Sequence, residues 1–247
     1  MAKSKLRIIP LGGLNEIGKN MTVFSYGNDM IIVDCGMAFP DEEMFGIDIV
    51  IPDFSFVLKN KDKIRGVVVT HGHEDHIGGL PFLLKELNVP IYSTNLTLGL
   101  VQNKLKEHNL LSTATLNRVS TGDTVNLGVF KVEFIRSNHS IPDAVALAIH
   151  TPAGIIIHTG DFKIDTTPIQ GEMIDLARIG ELGKKGVLAL MSDSTNAERE
   201  GYTKSERTVG STLETLFQST KSRIIVATFA SNVHRVQQIV KRIRKFT

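Results

Sequence analysis

Short apolar runs, separated by polar, glycine or proline residues, dominate the first two-thirds of the chain. Such a run is typical of a buried β-strand, and Gly66–Thr70, with the sequence Gly-Val-Val-Val-Thr, is a clear example. The runs predict strands at Leu6–Pro10, Met21–Tyr26, Met30–Asp34, Gly66–Thr70, Pro90–Ser93, Val129–Arg136, Ala144–His150, Gly154–His158 and Val187–Met191.

Apolar residues at helical spacing lie between these strands. They predict helices at Gly79–Leu87, Leu96–His108 and Met173–Leu182. Strands and helices mixed in this order indicate an α/β protein whose sheets are covered by helices.

The pattern changes after the polar stretch Ser192–Gly201, which predicts a long exposed loop. A helix, a strand and a helix are predicted after it, at Val209–Ser219, Ile224–Phe229 and Val233–Lys245. One strand and two helices are too little for an independent core. We therefore expect one domain at residues 1–205 and the beginning of an incomplete second domain at residues 206–247.

Composition excludes several classes of protein. A chain of 247 residues can bury a sizeable core, and a net charge of +2 constrains its partners little. Cys35 is the only cysteine, which excludes an intrachain disulfide and a cysteine-based zinc ribbon. The sequence has no apolar stretch of membrane-spanning length and no signal-peptide pattern at its start. We therefore expect a cytoplasmic protein that does not bind membranes.

The stretch from His71 to His76, with the sequence His-Gly-His-Glu-Asp-His, holds three of the eight histidines. It follows the predicted strand Gly66–Thr70, so a rigid scaffold can aim its side chains. Imidazole nitrogen and carboxylate oxygen are ligands that zinc accepts. In an extended segment His71 and His73 project to the same side, while Asp75 and His76 lie past the turn. This arrangement suits two adjacent metal ions, each with a pair of ligands.

Two metal ions need further ligands, and other predicted strands end in suitable residues. His139 follows Val129–Arg136, and Asp161 follows Gly154–His158, with Gly160 allowing a tight turn. A carboxylate at Asp161 can bridge two cations, because each of its oxygens can serve one of them. Asp34 ends another strand. From there it would orient a metal ligand, or the backbone of that ligand, without binding the metal itself.

The last part of the chain is basic. From Lys221 to Thr247 there are seven Lys or Arg residues and no acidic one, and the segment includes Lys241–Lys245. Either a solvated helix face or a surface for a polyanionic substrate would give this pattern.

The order of these motifs resembles the signature of the metallo-β-lactamase superfamily over about residues 5 to 200. The resemblance implies a four-layer αββα sandwich with a dinuclear zinc site. It assigns one Zn²⁺ to His71, His73 and His139, the other to Asp75 and His76, and a bridging position to Asp161. Mn²⁺ in place of Zn²⁺ stays open, since ligand type alone does not decide between them.

Further segments are similar to the β-CASP nucleases of this superfamily. Ser192–Glu198 resembles their motif A, and Phe229–Arg235 resembles the opening of their inserted domain. With Leu11–Asn20, Gly46–Asp53 and Asn138–Asp143, the resemblance is closest to the bacterial ribonuclease J family. Those enzymes are longer. The resemblance therefore implies that the later histidines, one of which completes the second zinc site, are absent from this chain, and it leaves the activity of this chain alone open.

The resemblance implies a zinc-dependent ribonuclease with 5′→3′ exonuclease and endonuclease activity in RNA maturation and decay. Its substrate would be RNA, preferably 5′-monophosphorylated, and its full-length form a homo-oligomer or a complex with a paralogue. It assigns catalysis to Asp75, His76 and Asp193, and substrate binding to Ser231, Asn232 and His234. Each assignment has a structural alternative. Asp193 could only cap its loop, and Ser231–His234 could be an ordinary helix cap. In the same fold Leu11–Asn20 is a loop at the rim of the site, where Asn15 or Asn20 could touch substrate.

Two other functions remain to be distinguished. One is a small-molecule hydrolase on the same fold, acting on thioesters or lactones. The other is a non-catalytic RNA-binding or assembly paralogue with a structural metal site. Activity on 5′-monophosphorylated RNA separates the nuclease from the first, and bound metal without turnover would identify the second.

Overall fold

A computed structural model describes residues 4–169 and 171–244 of the chain. Over these residues, eleven strands form a six-stranded and a five-stranded sheet. The first sheet consists, in spatial order, of β1 (Leu6–Gly12), β2 (Met21–Tyr26), β3 (Asp29–Val33), β4 (Ile64–Val68), β5 (Ile91–Ser93) and β6 (Leu116–Arg118). The second contains β7 (Thr124–Leu127), β8 (Phe130–Arg136), β9 (Val145–Thr151), β10 (Gly154–His158) and β11 (Val187–Met191), also in spatial order.

Strand direction divides each sheet. In the first sheet β1 to β3 are antiparallel, and β3 to β6 run parallel. In the second sheet β7 to β10 are antiparallel, and only β11 pairs in parallel, with β10. The helices are α1 (Ser55–Lys59), α2 (Glu74–Ile77), α3 (Leu80–Glu86), α4 (Asn95–Glu107), α5 (Leu176–Lys185), α6 (Arg207–Ser219) and α7 (Val233–Ile243).

Successive side chains of a strand point to opposite faces of its sheet, so each strand contributes to two layers of the core. In β3, Ile31 and Val33 pack between the two sheets against residues such as Phe134 of β8. Ile32, between them in sequence, faces the opposite side and packs with the helices α3 and α4. A smaller cluster, which includes Leu182 of α5, covers the outer face of the second sheet. The result is the predicted helix–sheet–sheet–helix sandwich.

The predicted strands of the first 191 residues are present, with ends shifted by one or two residues in several cases. The pattern missed β6 and β7, which span only three and four residues. It also missed the short helices α1 and α2. Among the described residues, no helix has the length and apolar character needed to cross a membrane.

The predicted strand Ile224–Phe229 is wrong. The described residues there form no ladder with another strand, and Ile225 and Phe229 are 88% and 83% exposed. A strand needs a neighbour for its backbone groups, and an apolar run alone does not supply one. The predicted helix that follows ends at Ile243, and Lys245 lies outside the described residues.

Several chain segments converge at one edge of the sandwich. The Asp34 N–H donates to the carbonyl of Val68, at 2.9 Å, where β3 and β4 end. The Val145 N–H donates to the carbonyl of Thr70, at 3.0 Å, and this bond joins the two sheets. The segments after β3, β4, β8 and β10 therefore meet, and these segments carry the predicted ligands.

Candidate metal centre

Four side chains form the first donor set. His73 Nδ1 lies 3.1 Å from His71 Nε2 and 3.1 Å from His139 Nε2. Asp161 Oδ2 lies 3.9 Å from His71 Nε2 and 3.6 Å from His139 Nε2. The structure thus brings together two ligands from the loop after β4, one from the segment after β8 and one from the segment after β10.

Three side chains form the second donor set. His76 Nε2 lies 3.5 Å from Asp75 Oδ2 and 3.3 Å from Asp161 Oδ1. Asp161 therefore directs one oxygen to each set, as expected for a bridging carboxylate. All donor atoms of a set lie within 4.8 Å of one another.

The turn of α2 positions Asp75 and His76. The Cys35 N–H donates to the carbonyl of His76 at 2.9 Å, and the carbonyl of Asp75 accepts from the Asn20 N–H at 3.0 Å. Gly36 permits this close packing, since a Cβ there would lie 1.6 Å from the Asp75 carbonyl oxygen. The loop before β4 and the ligand helix are therefore held together through their backbones.

The turn before Asp161 depends on a glycine in the left-handed region. Gly160 has φ +56°, and a Cβ there would lie 3.0 Å from Thr70 Cβ and 3.1 Å from the Val145 carbonyl oxygen. The Gly160 N–H donates to His158 Nδ1 at 3.1 Å. These contacts fix the turn that directs Asp161 toward both donor sets.

Hydrogen bonds outside the donor sets determine which nitrogen the imidazoles of His71 and His76 present. His76 Nδ1 lies 2.7 Å from Asp34 Oδ2, an acceptor, so this nitrogen carries the proton and Nε2 faces the donors. The Thr70 hydroxyl donates to the same carboxylate oxygen at 2.9 Å, and its own lone pair faces His71 Nδ1 at 3.0 Å. His71 therefore donates from Nδ1 and leaves Nε2 free.

Asp34 occupies the position predicted for it. It is almost fully buried, with φ +59°, and its Oδ1 accepts the Thr70 N–H at 2.7 Å. On the other side of the site, Ser140 Oγ lies 3.3 Å from His73 Nε2, which leaves His73 Nδ1 to face the donors.

Burial keeps the first three imidazoles neutral. It is the largest cause that lowers the pKa of His71 well below its ordinary value, and it also lowers the pKa of His73. The pKa of His139 falls to about 4, again chiefly through burial. Neutral imidazoles are the form that binds metal.

His76 differs from the other imidazoles. Burial opposes its protonation, but the charge of Asp34 and hydrogen bonds with Asp161, Asp34 and Asp75 outweigh burial and raise the pKa of His76 well above its ordinary value. The pKa values of Asp75 and Asp161 are lowered, because His76 offsets their burial. A metal in the second set therefore competes with a proton.

The donor geometry fits a divalent metal. Neighbouring donor atoms lie 3.1–3.9 Å apart in the first set and 3.3–3.5 Å apart in the second, and all donors of a set lie within 4.8 Å of one another. Ligands about 2.0–2.1 Å from a tetrahedral ion lie roughly 3.4 Å apart. In the first set, whose imidazoles are neutral, converging lone pairs repel one another unless a cation lies among them. In the second set a proton on His76 occupies this place, and a metal ion can replace it.

Asp193 contacts the site through its backbone. Its N–H donates to Thr159 Oγ1 at 2.9 Å, and its carboxylate accepts the Thr195 N–H at 2.8 Å. The second bond is the loop cap that the sequence left open as an alternative. The charge of Asp193 also acts on His139, whose pKa it tends to raise.

The three residues predicted to bind substrate lie at the start of α7. Asn232 caps this helix, with Oδ1 accepting the Arg235 N–H at 3.1 Å, which was the alternative left open for it. His234 lines a cavity of about 260 Å³ that also contains His139. Ser231 lines a second cavity, of about 320 Å³, beside Gly72.

Sequence reasoning missed the contacts of Thr70 and Ser140, and only the resemblance, not the motif spacing, placed Asn20 near the site. Asn20 Nδ2 lies 3.2 Å from His76 Nε2 and 3.4 Å from Asp75 Oδ2. Thr70 and Ser140 each adjoin a predicted ligand in sequence, and this adjacency was the available signal. Asn20 lies far from the motif in sequence, and only the fold brings it there.

Comparisons with known proteins find relatives over nearly the whole chain. Over 97% of its length the chain is 50% identical to ribonuclease J of Synechocystis sp., and over 97% it is 48% identical to ribonuclease J of Helicobacter pylori strain J99. It is also 46% identical, over 98% of its length, to ribonuclease J of Thermus thermophilus. The chain spans 38%, 35% and 43% of these relatives.

Solved structures share the fold at low sequence identity. A protein of unknown function from Enterococcus faecalis V583 matches with a TM-score of 0.71 and 18% identity, over 96% of this chain and 63% of that one. Zn²⁺-bound PqqB from Methylobacterium extorquens matches with a TM-score of 0.51 and 12% identity, over 80% and 78%. Residues 14–181 match the family described as the metallo-beta-lactamase superfamily, and the chain belongs to that superfamily.

Proposed function

We propose that this chain carries the metal centre of a ribonuclease J-type enzyme, which hydrolyses phosphodiester bonds of RNA. The observation that carries the proposal is the division of the Asp161 carboxylate between two donor sets, with Oδ2 facing His139 at 3.6 Å and Oδ1 facing His76 at 3.3 Å. Two adjacent divalent ions are the arrangement that phosphodiester hydrolysis uses. The ribonuclease J relatives supply the substrate class.

The metal pair, when bound, would lower the pKa of a water molecule and offset the charge on phosphoryl oxygens. The residues of this chain would hold the pair in place. His71, His73 and His139 offer neutral nitrogen donors to the first ion. Asp161 would serve both ions with its two oxygens, and Asp34 orients His76 through the 2.7 Å hydrogen bond.

The catalytic roles of Asp75 and His76 follow from the same arrangement. Both would hold the second ion. Asp193 would act as a positioning residue, because its N–H holds Thr159, two residues before Asp161. We assign the ions as Zn²⁺, since three nitrogen ligands in the first set favour it, with Mn²⁺ as the alternative.

The RNA would lie between the metal centre and the start of α7. Among the described residues, Ser137 Oγ and His234 Nδ1 are buried without a hydrogen-bond partner, and both residues line the cavity beside His139. Such atoms suit a phosphate or a ribose hydroxyl. We therefore assign a substrate contact to His234. The resemblance supports one for Ser231, which lines the second cavity, and Asn232 would orient the helix start.

The basic segment would contribute less than its sequence indicated. Arg235 pairs with Glu206 at 2.5 Å, and Arg242 pairs with Glu214. Lys221, Arg223 and Lys241 are exposed and would supply the part of RNA affinity that falls with salt. Lys245 lies outside the described residues.

The small-molecule hydrolase is not favoured, because the relatives above are ribonucleases. The alternative of a non-catalytic paralogue is tested separately, because it predicts bound metal without turnover. Three expectations stay predictions. They are a cytoplasmic location, a homo-oligomer or paralogue complex in the full-length protein, and the division into residues 1–205 and 206–247.

The test is hydrolysis of 5′-labelled, 5′-monophosphorylated RNA. Both the full-length protein and this chain are assayed after loading with Zn²⁺ or Mn²⁺. A 5′-triphosphorylated RNA and a thioester are offered in parallel as comparison substrates. We expect the full-length protein to cleave the monophosphorylated RNA fastest. His73→Ala should abolish cleavage, and His108→Ala, at the end of the outer helix α4, should leave it unchanged. Turnover of the thioester alone, or metal binding without any turnover, would refute the proposal.

A further inference from the structure

A buried carboxylate joins the sandwich to the start of α6. Asp165 is 4% exposed and lies in the loop that follows Asp161. Its Oδ1 accepts the Thr167 N–H at 3.0 Å, and its Oδ2 accepts the Glu206 N–H at 3.3 Å. The Ser205 hydroxyl lies 3.0 Å from Oδ2 and 3.0 Å from the Thr167 carbonyl oxygen, so either acceptor ties it to the same loop. The loop that begins at the bridging ligand therefore also holds the residues before α6.

The loop around Asp165 is fixed to the metal centre as well. The Lys163 N–H donates to the carbonyl of Asn138 at 2.8 Å, and Asn138 directly precedes His139. Lys163 Nζ lies 3.7 Å from Asp165 Oδ2. Burial opposes the ionisation of Asp165, but its hydrogen bonds and the charge of Lys163 outweigh burial and lower its pKa. Loss of this anion would leave the N–H donors around it without a full set of acceptors.

Contacts of Glu206 join α6 to α7. The Arg235 guanidinium donates from Nε to Glu206 Oε1 at 2.5 Å, and the Gln238 side chain donates to the Glu206 carbonyl at 3.3 Å. Gly210 permits this approach, since a Cβ there would overlap the side-chain oxygen of Gln238. The buried residues of α6 are Gly210 and Phe217, and that of α7 is Gln238, so little apolar surface holds the two helices in place. Polar contacts therefore decide where α7 lies.

The helix α7 begins beside the metal centre. His234, in its first turn, lines the cavity of about 260 Å³ that also contains His139. Arg235 is the next residue, so the contacts that run from Asp165 through Glu206 end beside His234. Displacement of α6 would therefore move His234 away from the metal ligand His139.

We propose that Asp165 is a positioning residue that docks α6 and α7 on the sandwich and so holds His234 beside the metal centre. The inference rests on the proposed function, to which it adds the residue that places the helix assigned to RNA. Asp165 acts through Glu206 and Arg235 rather than on the RNA itself.

The first test is hydrogen exchange of Asp165→Asn, followed by mass spectrometry. Asn keeps the shape of Asp but replaces one acceptor oxygen by an N–H₂ group that faces other donors. Asp175→Asn is the matched control, because the Asp175 carboxylate caps α5 of the sandwich. We expect backbone amides of α6 and α7 to exchange at least about fivefold faster in Asp165→Asn only. Exchange in β3 and β9, and the metal content, should stay at the wild-type level.

The second test is RNA hydrolysis by the full-length protein. In Asp165→Asn we expect KM for RNA to rise at least about fivefold with a smaller change in kcat, because fewer molecules have α7 docked when RNA arrives. A general loss of stability would lower the amount of folded enzyme and leave its KM unchanged. Glu206→Gln should raise KM as well, and the double variant should add little, since both changes break the same series of contacts.

The outcomes separate this inference from the proposed function. If wild type cleaves RNA, and Asp165→Asn keeps its KM and its exchange in α6 and α7, only the inference fails. Faster exchange that includes β3 and β9, or fully additive effects with Glu206→Gln, would also overturn it. If wild type cleaves no RNA, the proposed function fails. Exchange alone then decides on Asp165: faster exchange confined to α6 and α7 supports the docking role, and unchanged exchange overturns it.

Discussion

At the scale of single residues, the site depends on which nitrogen each imidazole presents. Sequence reasoning predicted the donors His71, His73, Asp75, His76, His139 and Asp161 from their places after apolar runs. It did not predict the hydroxyl of Thr70 as the partner of His71, because one threonine at a strand end has no distinctive pattern. Only the fold shows that Thr70 reaches both Asp34 and His71.

Thr70→Val should weaken metal binding by the first set. Valine has the shape of threonine but leaves the His71 Nδ1–H buried without an acceptor, which favours the wrong tautomer. We expect a loss of affinity of about 10- to 100-fold by chelator competition. Thr70→Ser, the control, keeps the hydroxyl and should lose far less. Equal losses in the two variants would show that the hydroxyl is not responsible.

The two metals should differ in their response to pH. The pKa of His139 is lowered to about 4 and those of His71 and His73 are lowered, so the first set stays deprotonated in mild acid. The pKa of His76 is raised well above its ordinary value, so protons compete with the second metal around neutral pH. As pH falls from 8 to 5, elemental analysis after dialysis should show loss of the second metal first. Simultaneous loss of both would contradict the pKa assignments.

At the scale of elements, the pattern of apolar residues predicted the strands, because a strand buried on one or both faces needs apolar residues at those positions. It missed α2, which spans Glu74–Ile77 and is too short to show a period. It wrongly predicted a strand at Ile224–Phe229, because an apolar run does not show whether a partner strand is present. The short helix that carries Asp75 and His76 is held by backbone hydrogen bonds from Asn20, Cys35 and Met37 rather than by its own sequence.

Gly36→Ala should destabilise the fold and displace Asp75. The new Cβ would lie 1.6 Å from the Asp75 carbonyl oxygen, so the backbone must move. We expect a loss of about 3 kcal/mol in the free energy of unfolding by denaturant titration. Gly99→Ala is the matched control on α4, where a Cβ meets no atom within 4 Å, and it should be neutral or stabilising by up to about 1 kcal/mol. Equal effects would contradict the packing argument.

At the scale of the whole molecule, the sandwich and the last two helices differ in how much they bury. The strands β3 and β9 consist mostly of buried residues, whereas the buried residues of α6 are Gly210 and Phe217 and that of α7 is Gln238. The sequence predicts a domain boundary at residue 205, and this boundary stays a prediction. The sequence could not predict the ion pairs, such as that of Arg235 with Glu206, that join α7 to α6.

Hydrogen exchange should reveal this difference. Backbone amides of α6 and α7 should exchange much faster than those of β3 and β9, because little apolar surface opposes their local opening. Exchange followed by mass spectrometry measures both regions in one experiment. Protection of α6 and α7 equal to that of the sandwich would show that they belong to the same cooperative unit.

The central claim is that this fold assembles two metal ions around a shared Asp161. The most direct measurement is the metal content per chain by elemental analysis, after purification without chelators, for wild type, His73→Ala and His108→Ala. We predict two divalent ions in wild type and in His108→Ala, with a marked loss in His73→Ala. No bound metal in wild type, or an unchanged content in His73→Ala, would contradict the account.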